Sequence, residues 1–209
     1  MAAAAALPAL PPLLDLAGTA VFALTGALLA ARLKQTFVTM GFFALVTGVG
    51  GGSVRDLLIG VPVFWVRDPW VAPVILAVAL IAWFTPRRWW EGQVLEWADA
   101  AGLGAYAVLG TAKALAYGVA PLPAVVMGIV TGCVGGIIRD VLAGRPSILM
   151  RPELYVTAAA LAAALCAAGT LAGLPREFAW PFAALAGFAL RGLAIHKGLA
   201  LPAYKRDRA

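Results

Sequence analysis

Charge is scarce in this sequence. Only 12% of its 209 residues are Asp, Glu, Lys or Arg, where a soluble domain carries about a quarter. That leaves too few polar groups to solvate the surface of a globule, so lipid becomes the candidate solvent. Cysteine is almost as rare. Cys133 and Cys166 both lie in long apolar runs, without metal-ligand spacing and without the density of a secreted disulfide framework, and they read as small reduced hydrophobes. The one histidine, His196, stands among Arg191, Lys197 and a basic tail. Neither a Ser/His/Asp set nor a zinc set can be assembled, which removes hydrolytic and zinc chemistry. The N-terminal Ala/Pro stretch has no positively charged leader region and reads as retained.

Apolar length is what the sequence has in plenty: 63% of residues are hydrophobic and the mean hydropathy is +0.92. A helix crossing the hydrocarbon needs about 20 apolar residues. Seven such runs are present: 13–31, 36–54 continuing to 59, 70–86, 97–117, 122–143, 154–174 and 178–199. The fold class expected is all-α transmembrane. Trp65, Trp70, Trp89, Trp90, Trp97 and Trp180 fall near the ends of these runs, where amphipathic rings favour the interface. Ten cations lie on one side if the N-terminus is outside: Arg32, Lys34, Arg87, Arg88, Arg145, Arg151, Lys197, Lys205, Arg206 and Arg208. The other side receives Arg67 and Arg176. The positive-inside rule then places the C-terminus in the cytoplasm. It also accounts for the +6 net charge without nucleic acid, and suits a basic tail at 200–209 lying on anionic headgroups.

The chain repeats itself without a gap at an offset of 84 residues. Asp15-Leu-Ala-Gly aligns with Asp99-Ala-Ala-Gly, and Thr47-Gly-Val-Gly-Gly-Gly-Ser-Val-Arg-Asp with Thr131-Gly-Cys-Val-Gly-Gly-Ile-Ile-Arg-Asp. Gly60, Pro62 and Arg67 align with Gly144, Pro146 and Arg151. Each copy holds three spans, an odd number, so consecutive copies are expected in opposite orientation about a pseudo-twofold axis in the membrane plane. The expected organisation is a first three-helix repeat over 13–86, an inverted second over 97–174, a seventh helix over 178–199 and the tail. Function in such architectures concentrates where corresponding helices of the two halves are broken near the midplane, here the second and fifth spans.

Gly50, Gly51 and Gly52, with Gly135 and Gly136 in the second copy, are candidates for kinking or unwinding those helices and exposing carbonyls to a cation. The competing reading is close packing, because Gly48/Gly52 and Gly132/Gly136 have small-xxx-small spacing. Thr47 and Thr131 head the two elements as further pore-lining candidates. Arg55, Asp56, Arg139 and Asp140 close them, and ionised groups at membrane depth usually face a cavity or a partner. Arg55 and Asp56 project about 100° apart on a helix, so pairing across the pseudo-twofold is expected: Arg55 with Asp140 and Arg139 with Asp56. Alternatively each pair closes one end of a pore, or merely anchors its helix at an interface. Asp99 and Lys113 return to nearly the same face of the fourth span, about 21 Å apart along its axis, and can line one stripe. Leu29 occupies the position equivalent to Lys113 in the first copy, so the halves are not alike. Lys113 either senses the membrane field or snorkels to the outer interface. Asp15 reads as interfacial, and Arg191 suits either a pore or the inner headgroups.

The paired elements Gly51-Gly52-Ser53-Val54-Arg55-Asp56 and Gly135-Gly136-Ile137-Ile138-Arg139-Asp140, each followed by Gly-x-Pro, resemble the prokaryotic branch of the TRIC family. These are the trimeric intracellular cation channels, a sequence family also classed as a glycine-transporter domain. The resemblance covers about residues 13–199. It implies a homotrimer with one pore per subunit, passing monovalent cations, chiefly K⁺, through kinked second and fifth helices. Lys113 matches a basic residue with a gating role in animal relatives. Those relatives carry Lys-Glu where this chain has Arg-Asp, a motif linked to phosphoinositide binding, so lipid regulation does not transfer directly. No cofactor is implied beyond permeant K⁺ and bound membrane lipid, and a bacterial inner membrane is the expected location. A secondary transporter of a small solute such as an amino acid is the alternative, since inverted repeats with broken helices occur there too. A membrane scaffold would give no reason for doubled Arg-Asp pairs, and an enzyme lacks a nucleophile–base or metal set.

Overall fold

The computed structural model describes residues 12–202. The N-terminal Ala/Pro stretch and the tail cations Lys205, Arg206 and Arg208 lie outside them. Among the described residues eight α-helices follow one another: α1 (Pro12–Arg32), α2 (Phe37–Leu58), α3 (Phe64–Arg67), α4 (Val71–Phe84), α5 (Val94–Ala116), α6 (Pro121–Leu142), α7 (Val156–Leu171) and α8 (Arg176–Lys197). The described residues contain no named strand, only one isolated bridge between Glu153 and Ala200. Four helices (α1, α2, α6 and α8) are long and apolar enough to cross a membrane on length and composition. Helices α4 and α7 are apolar but shorter, at 14 and 16 residues. Helix α5 has the length, yet it carries Glu96, Asp99 and Lys113.

The helix ends follow from local chemistry. Gly60 and Gly144 end α2 and α6 with φ of +71° and +63°. Each donates to the carbonyl three residues back, Leu57 and Val141, while the next residue donates to Asp56 or Asp140. That is the paired C-terminal motif which a left-handed glycine permits.

One core forms within each half of the chain. Phe22's half gathers Ala27, Leu28, Phe43, Val71 and Ile75 from α1, α2 and α4, and the other half gathers Leu103, Cys133, Tyr155, Ala159, Cys166 and Ala183 from α5 to α8. The cysteines are buried free thiols. Phe22, Tyr106 and Leu109 bridge the two cores, with the Phe22 and Tyr106 rings 5.1 Å apart.

The crossing of α2 and α6 corrects an expectation. Neither helix unwinds at its glycines; helical structure runs without interruption from Phe37 to Leu58 and from Pro121 to Leu142. A Cβ at Gly51 would collide with the Thr131 carbonyl oxygen, and one at Gly135 would lie 2.5 Å from the Thr47 carbonyl oxygen. The glycines therefore serve backbone-to-backbone packing. Retaining the helix satisfies every backbone group internally, and the missing side chains let two such cylinders approach.

Gly51→Ala or Gly135→Ala is expected to lower stability by about 1–3 kcal/mol, the usual cost of overpacking. Gly41 has open space around it, and Gly41→Ala is expected to be neutral or to stabilise by up to about 1 kcal/mol. Thermal unfolding of the purified chain in detergent compares them, and equal shifts at all three positions would remove the close crossing from the account.

Candidate functional site

Two buried clusters of charge form where α2 and α6 approach their C-terminal ends. In the first, Arg55 and Asp56 are 1% and 0% exposed. Arg55 Nε donates to Asp56 Oδ1 at 2.8 Å, and Lys113 Nζ lies 2.8 Å from the same oxygen. The other carboxylate oxygen accepts the Phe64 backbone N–H at 2.9 Å. The Phe64 ring sits beneath both cations, 5.9 Å from the Arg55 guanidinium carbon and 6.0 Å from Lys113 Nζ, a cation–π arrangement strengthened by desolvation. Gly52 makes room for it, since a Cβ there would lie 2.6 Å from the ring. Trp65 Nε1 donates to Ser53 Oγ at 2.9 Å and fixes the short α3 against α2.

The second cluster repeats this plan with different partners. Arg139 Nε donates to Asp140 Oδ1 at 3.0 Å, and Asp140 Oδ2 accepts the Ile148 N–H at 3.2 Å. Arg139 Nη1 also reaches Asp99 Oδ1 at 2.7 Å and Thr25 Oγ1 at 3.0 Å. Buried Tyr155 stands beside Gly136, whose missing Cβ would lie 2.9 Å from the tyrosine hydroxyl and 3.4 Å from Asp99 Oδ1. Arg191, 2% exposed, places its guanidinium 5.4 Å from the Tyr155 ring centre and donates to Glu153 Oε2 at 2.5 Å. This cluster floors a cavity of about 480 Å³ whose wall includes Arg32, Glu96, Asp99, Arg139, Asp140 and Arg191. Arg191 stands in the wall of this cavity.

The expected pairings need correction. Arg55 does not pair with Asp140, nor Arg139 with Asp56; each arginine bonds the aspartate that follows it. The 100° separation holds for Cβ vectors, but an arginine is long enough to fold its Nε back against a neighbouring carboxylate, and a dry site leaves few other acceptors. A cross-half ion pair does exist, supplied by Lys113 to Asp56. Asp99 and Lys113 thus serve opposite clusters from the two ends of α5. Thr47 and Thr131 stand at the helix crossing. Their hydroxyls donate to Phe43 and Met127 carbonyls of their own helices, both at 2.6 Å. Asp15, aligned with Asp99, is half-buried, and its backbone carbonyl accepts from Thr19 Oγ1 at 2.8 Å and Tyr106 at 3.3 Å. Sequence reasoning missed Thr25, Phe64, Tyr155 and Glu153. Phe64 and Ile148 were within reach, because both fall eight residues after a repeated aspartate.

Apolar helices enclosing paired charges define a polytopic membrane protein. The sequence model of the family described as Glycine transporter matches twice, at residues 12–87 and 96–171, with both ends of the second match 84 residues beyond those of the first. The Escherichia coli (strain K12) UPF0126 inner membrane protein YadS is 38% identical over 201 residues, spanning 93% of this chain and 96% of that one. A UPF0126 membrane protein of Vibrio cholerae is 44% identical over 152 residues, 70% of this chain and 62% of the relative. The solved TRIC trimeric intracellular cation channel orthologue from Rhodobacter sphaeroides is 40% identical, with a TM-score of 0.83 over 90% of this chain and 98% of that one. The chain belongs to the Glycine transporter family, which takes in the UPF0126 membrane proteins and the prokaryotic TRIC channels. It is a membrane protein with the TRIC channel fold.

Removing one partner of a buried pair leaves an uncompensated charge and costs about 3–5 kcal/mol. Asp99→Ala and Arg139→Ala are each expected to destabilise on that scale, with a double mutant well short of the sum. Arg55→Asp is expected to gain nothing from added Asp140→Arg. Chemical unfolding in detergent measures both, and rescue of Arg55→Asp by Asp140→Arg would reinstate the cross-half pairing.

Proposed function

We propose that this chain is a passive channel for monovalent cations, chiefly K⁺, with one pore per subunit of a homotrimer. The observation that carries the reading is the pair of buried charge clusters at the ends of the α2–α6 crossing, set in a fold that superposes on the Rhodobacter sphaeroides channel with a TM-score of 0.83. The pathway follows α2 and α6 between the clusters. Gly50 to Gly52, Gly135, Gly136, Thr47 and Thr131 form its constriction, and Arg55, Asp56, Arg139, Asp140, Asp99 and Lys113 its two ends. On this reading the arrangement is the closed state: the Phe64 ring and the Lys113–Asp56 bridge stand at one end, and the close glycine crossing supports a narrow constriction between the helix backbones.

Opening requires Lys113 to leave Asp56. A unit charge moving through the whole of a 100 mV field is worth about 2.3 kcal/mol, comparable with a partly buried ion pair, so Lys113 suits a voltage-dependent latch. The halves 13–86 and 97–174 are read as inverted repeats, followed by the spanning helix 178–199, giving seven spans with the N-terminus outside and the C-terminus in the cytoplasm of a bacterial inner membrane. The E. coli relative YadS, an inner membrane protein, supports that location. A second reading, a secondary transporter of an amino acid such as glycine, has the family's description in its favour.

Planar-bilayer recording of the purified chain under K⁺, Na⁺ and Cl⁻ gradients is expected to give unitary currents reversing near the K⁺ potential, with Lys113→Gln shifting the voltage dependence of opening. An anion-selective reversal overturns the channel reading. Saturable solute uptake without unitary current establishes the transporter. A C-terminal reporter active only in the cytoplasm checks the orientation.

A further inference from the structure

Seven positions among the described residues have a left-handed backbone, and six of them are glycine: Gly60, Gly92, Gly118, Gly144, Gly173 and Gly198. The seventh is Lys34, at φ +55°. It ends α1 with the same hydrogen-bond pair that Gly118 uses to end α5. Lys34 N–H donates to Ala31 and Gln35 N–H to Ala30; Gly118 N–H donates to Leu115 and Val119 N–H to Ala114. Lys34 and Gly118 are equivalent positions of the repeat, 84 residues apart. Glycine adopts this conformation freely and an L side chain does not. A lysine at a position where glycine fits better points to work done by its ammonium group.

The surroundings indicate what that work is. Lys34 lines a cavity of about 440 Å³ between the α1–α2 turn and the α4–α5 connection, together with Arg32, Gln35, Trp83 and Trp90. Arg32 is held in place by its bond to the Gly92 carbonyl at 2.9 Å and its ion pair with Glu96 at 3.4 Å. Trp90 Nε1 is held by Thr85 Oγ1 at 2.6 Å. Glu91 is the carboxylate in the lining, and Arg32 is already engaged by Glu96, which leaves Lys34 as the lining cation with no salt bridge among the described residues. Trp83 and Trp89, 45% and 60% exposed, flank this end of the helices, as aromatic side chains do at headgroup depth.

We infer that this cavity is a binding site for the phosphate of an anionic membrane lipid in the cytoplasmic leaflet, with Lys34 as its principal cation. The site is separate from both Arg-Asp clusters, and lipid binding there is independent of whether the chain conducts. A polybasic surface gains about one kcal/mol per lysine against anionic lipid, which converts to about a fivefold change in affinity.

Native mass spectrometry of the purified full chain, titrated with phosphatidylglycerol or phosphatidylcholine, tests the assignment. The wild type is expected to prefer phosphatidylglycerol. Lys34→Gly is expected to unfold at no lower temperature in phosphatidylcholine, because the left-handed turn is relieved, yet to bind phosphatidylglycerol about fivefold more weakly. Lys34→Asn, which also tolerates this backbone, should behave alike. Undiminished binding in both variants, or no headgroup preference in the wild type, overturns the inference, as does failure of both variants to fold. Inorganic phosphate that binds with the same dependence on Lys34 and displaces the lipid would make this a soluble-anion site and overturn the lipid assignment.

Discussion

A guanidinium removed from water must be given acceptors, and much of this fold is arranged to supply them to Arg55 and Arg139. Each arginine rests on the carboxylate of the following aspartate. Each aspartate uses its second oxygen to hold a backbone N–H eight residues further on, at Phe64 or Ile148. One carboxylate thus neutralises a buried cation and pins the connector that leaves the helix. The left-handed glycines at 60 and 144 turn the chain so that this connector can come back. Arginine, aspartate, glycine turn and returning N–H form one unit, and it occurs twice.

That unit constrains what lies between its copies. Helices α2 and α6 touch through backbone atoms, Gly51 against Thr131 and Gly135 against Thr47, so their spacing has no side chain to compress. A contact of this kind is close to all-or-none: the helices are in register and touching, or they have separated. The Lys113–Asp56 bridge ties α2 to α5 and the Arg139–Asp99 bridge ties α6 to α5, so ion pairs hold both helices of the crossing to α5. Such pairs respond to charge, voltage and hydration far more steeply than packed methyl groups do.

Much of the plan was readable from residue order, and the parts that were not share a cause. The repeat, the apolar runs and the doubled Arg-Asp elements are written in linear spacing. Side-chain reach is not. Arg55 and Arg139 bond their own neighbours because a long flexible chain escapes the direction its Cβ sets. Lys113 was singled out as the odd residue of the second half, but its partner Asp56 lies on another helix and no spacing rule connects them. The glycines presented two physical readings, unwinding or close approach, and only the position of the opposite carbonyl decides between them. Thr25 and Tyr155 carry no signal at all, since a threonine or a tyrosine in an apolar helix is ordinary until an arginine arrives beside it.

The repeat has a consequence for how such a chain arose. On the proposed topology, the cations that orient it are largely those the two halves do not share. Arg32 and Lys34 stand opposite Ala116 and Gly118, and Arg145 stands opposite Val61. Stripped of these additions, either half is a three-helix piece with little electrical reason to enter the bilayer one way rather than the other. An ancestor of that kind would have inserted in both directions and assembled with its own upside-down copies. Joined in one chain, two such pieces would have their orientations fixed, and each half could then differ from the other, as Lys113 differs from Leu29.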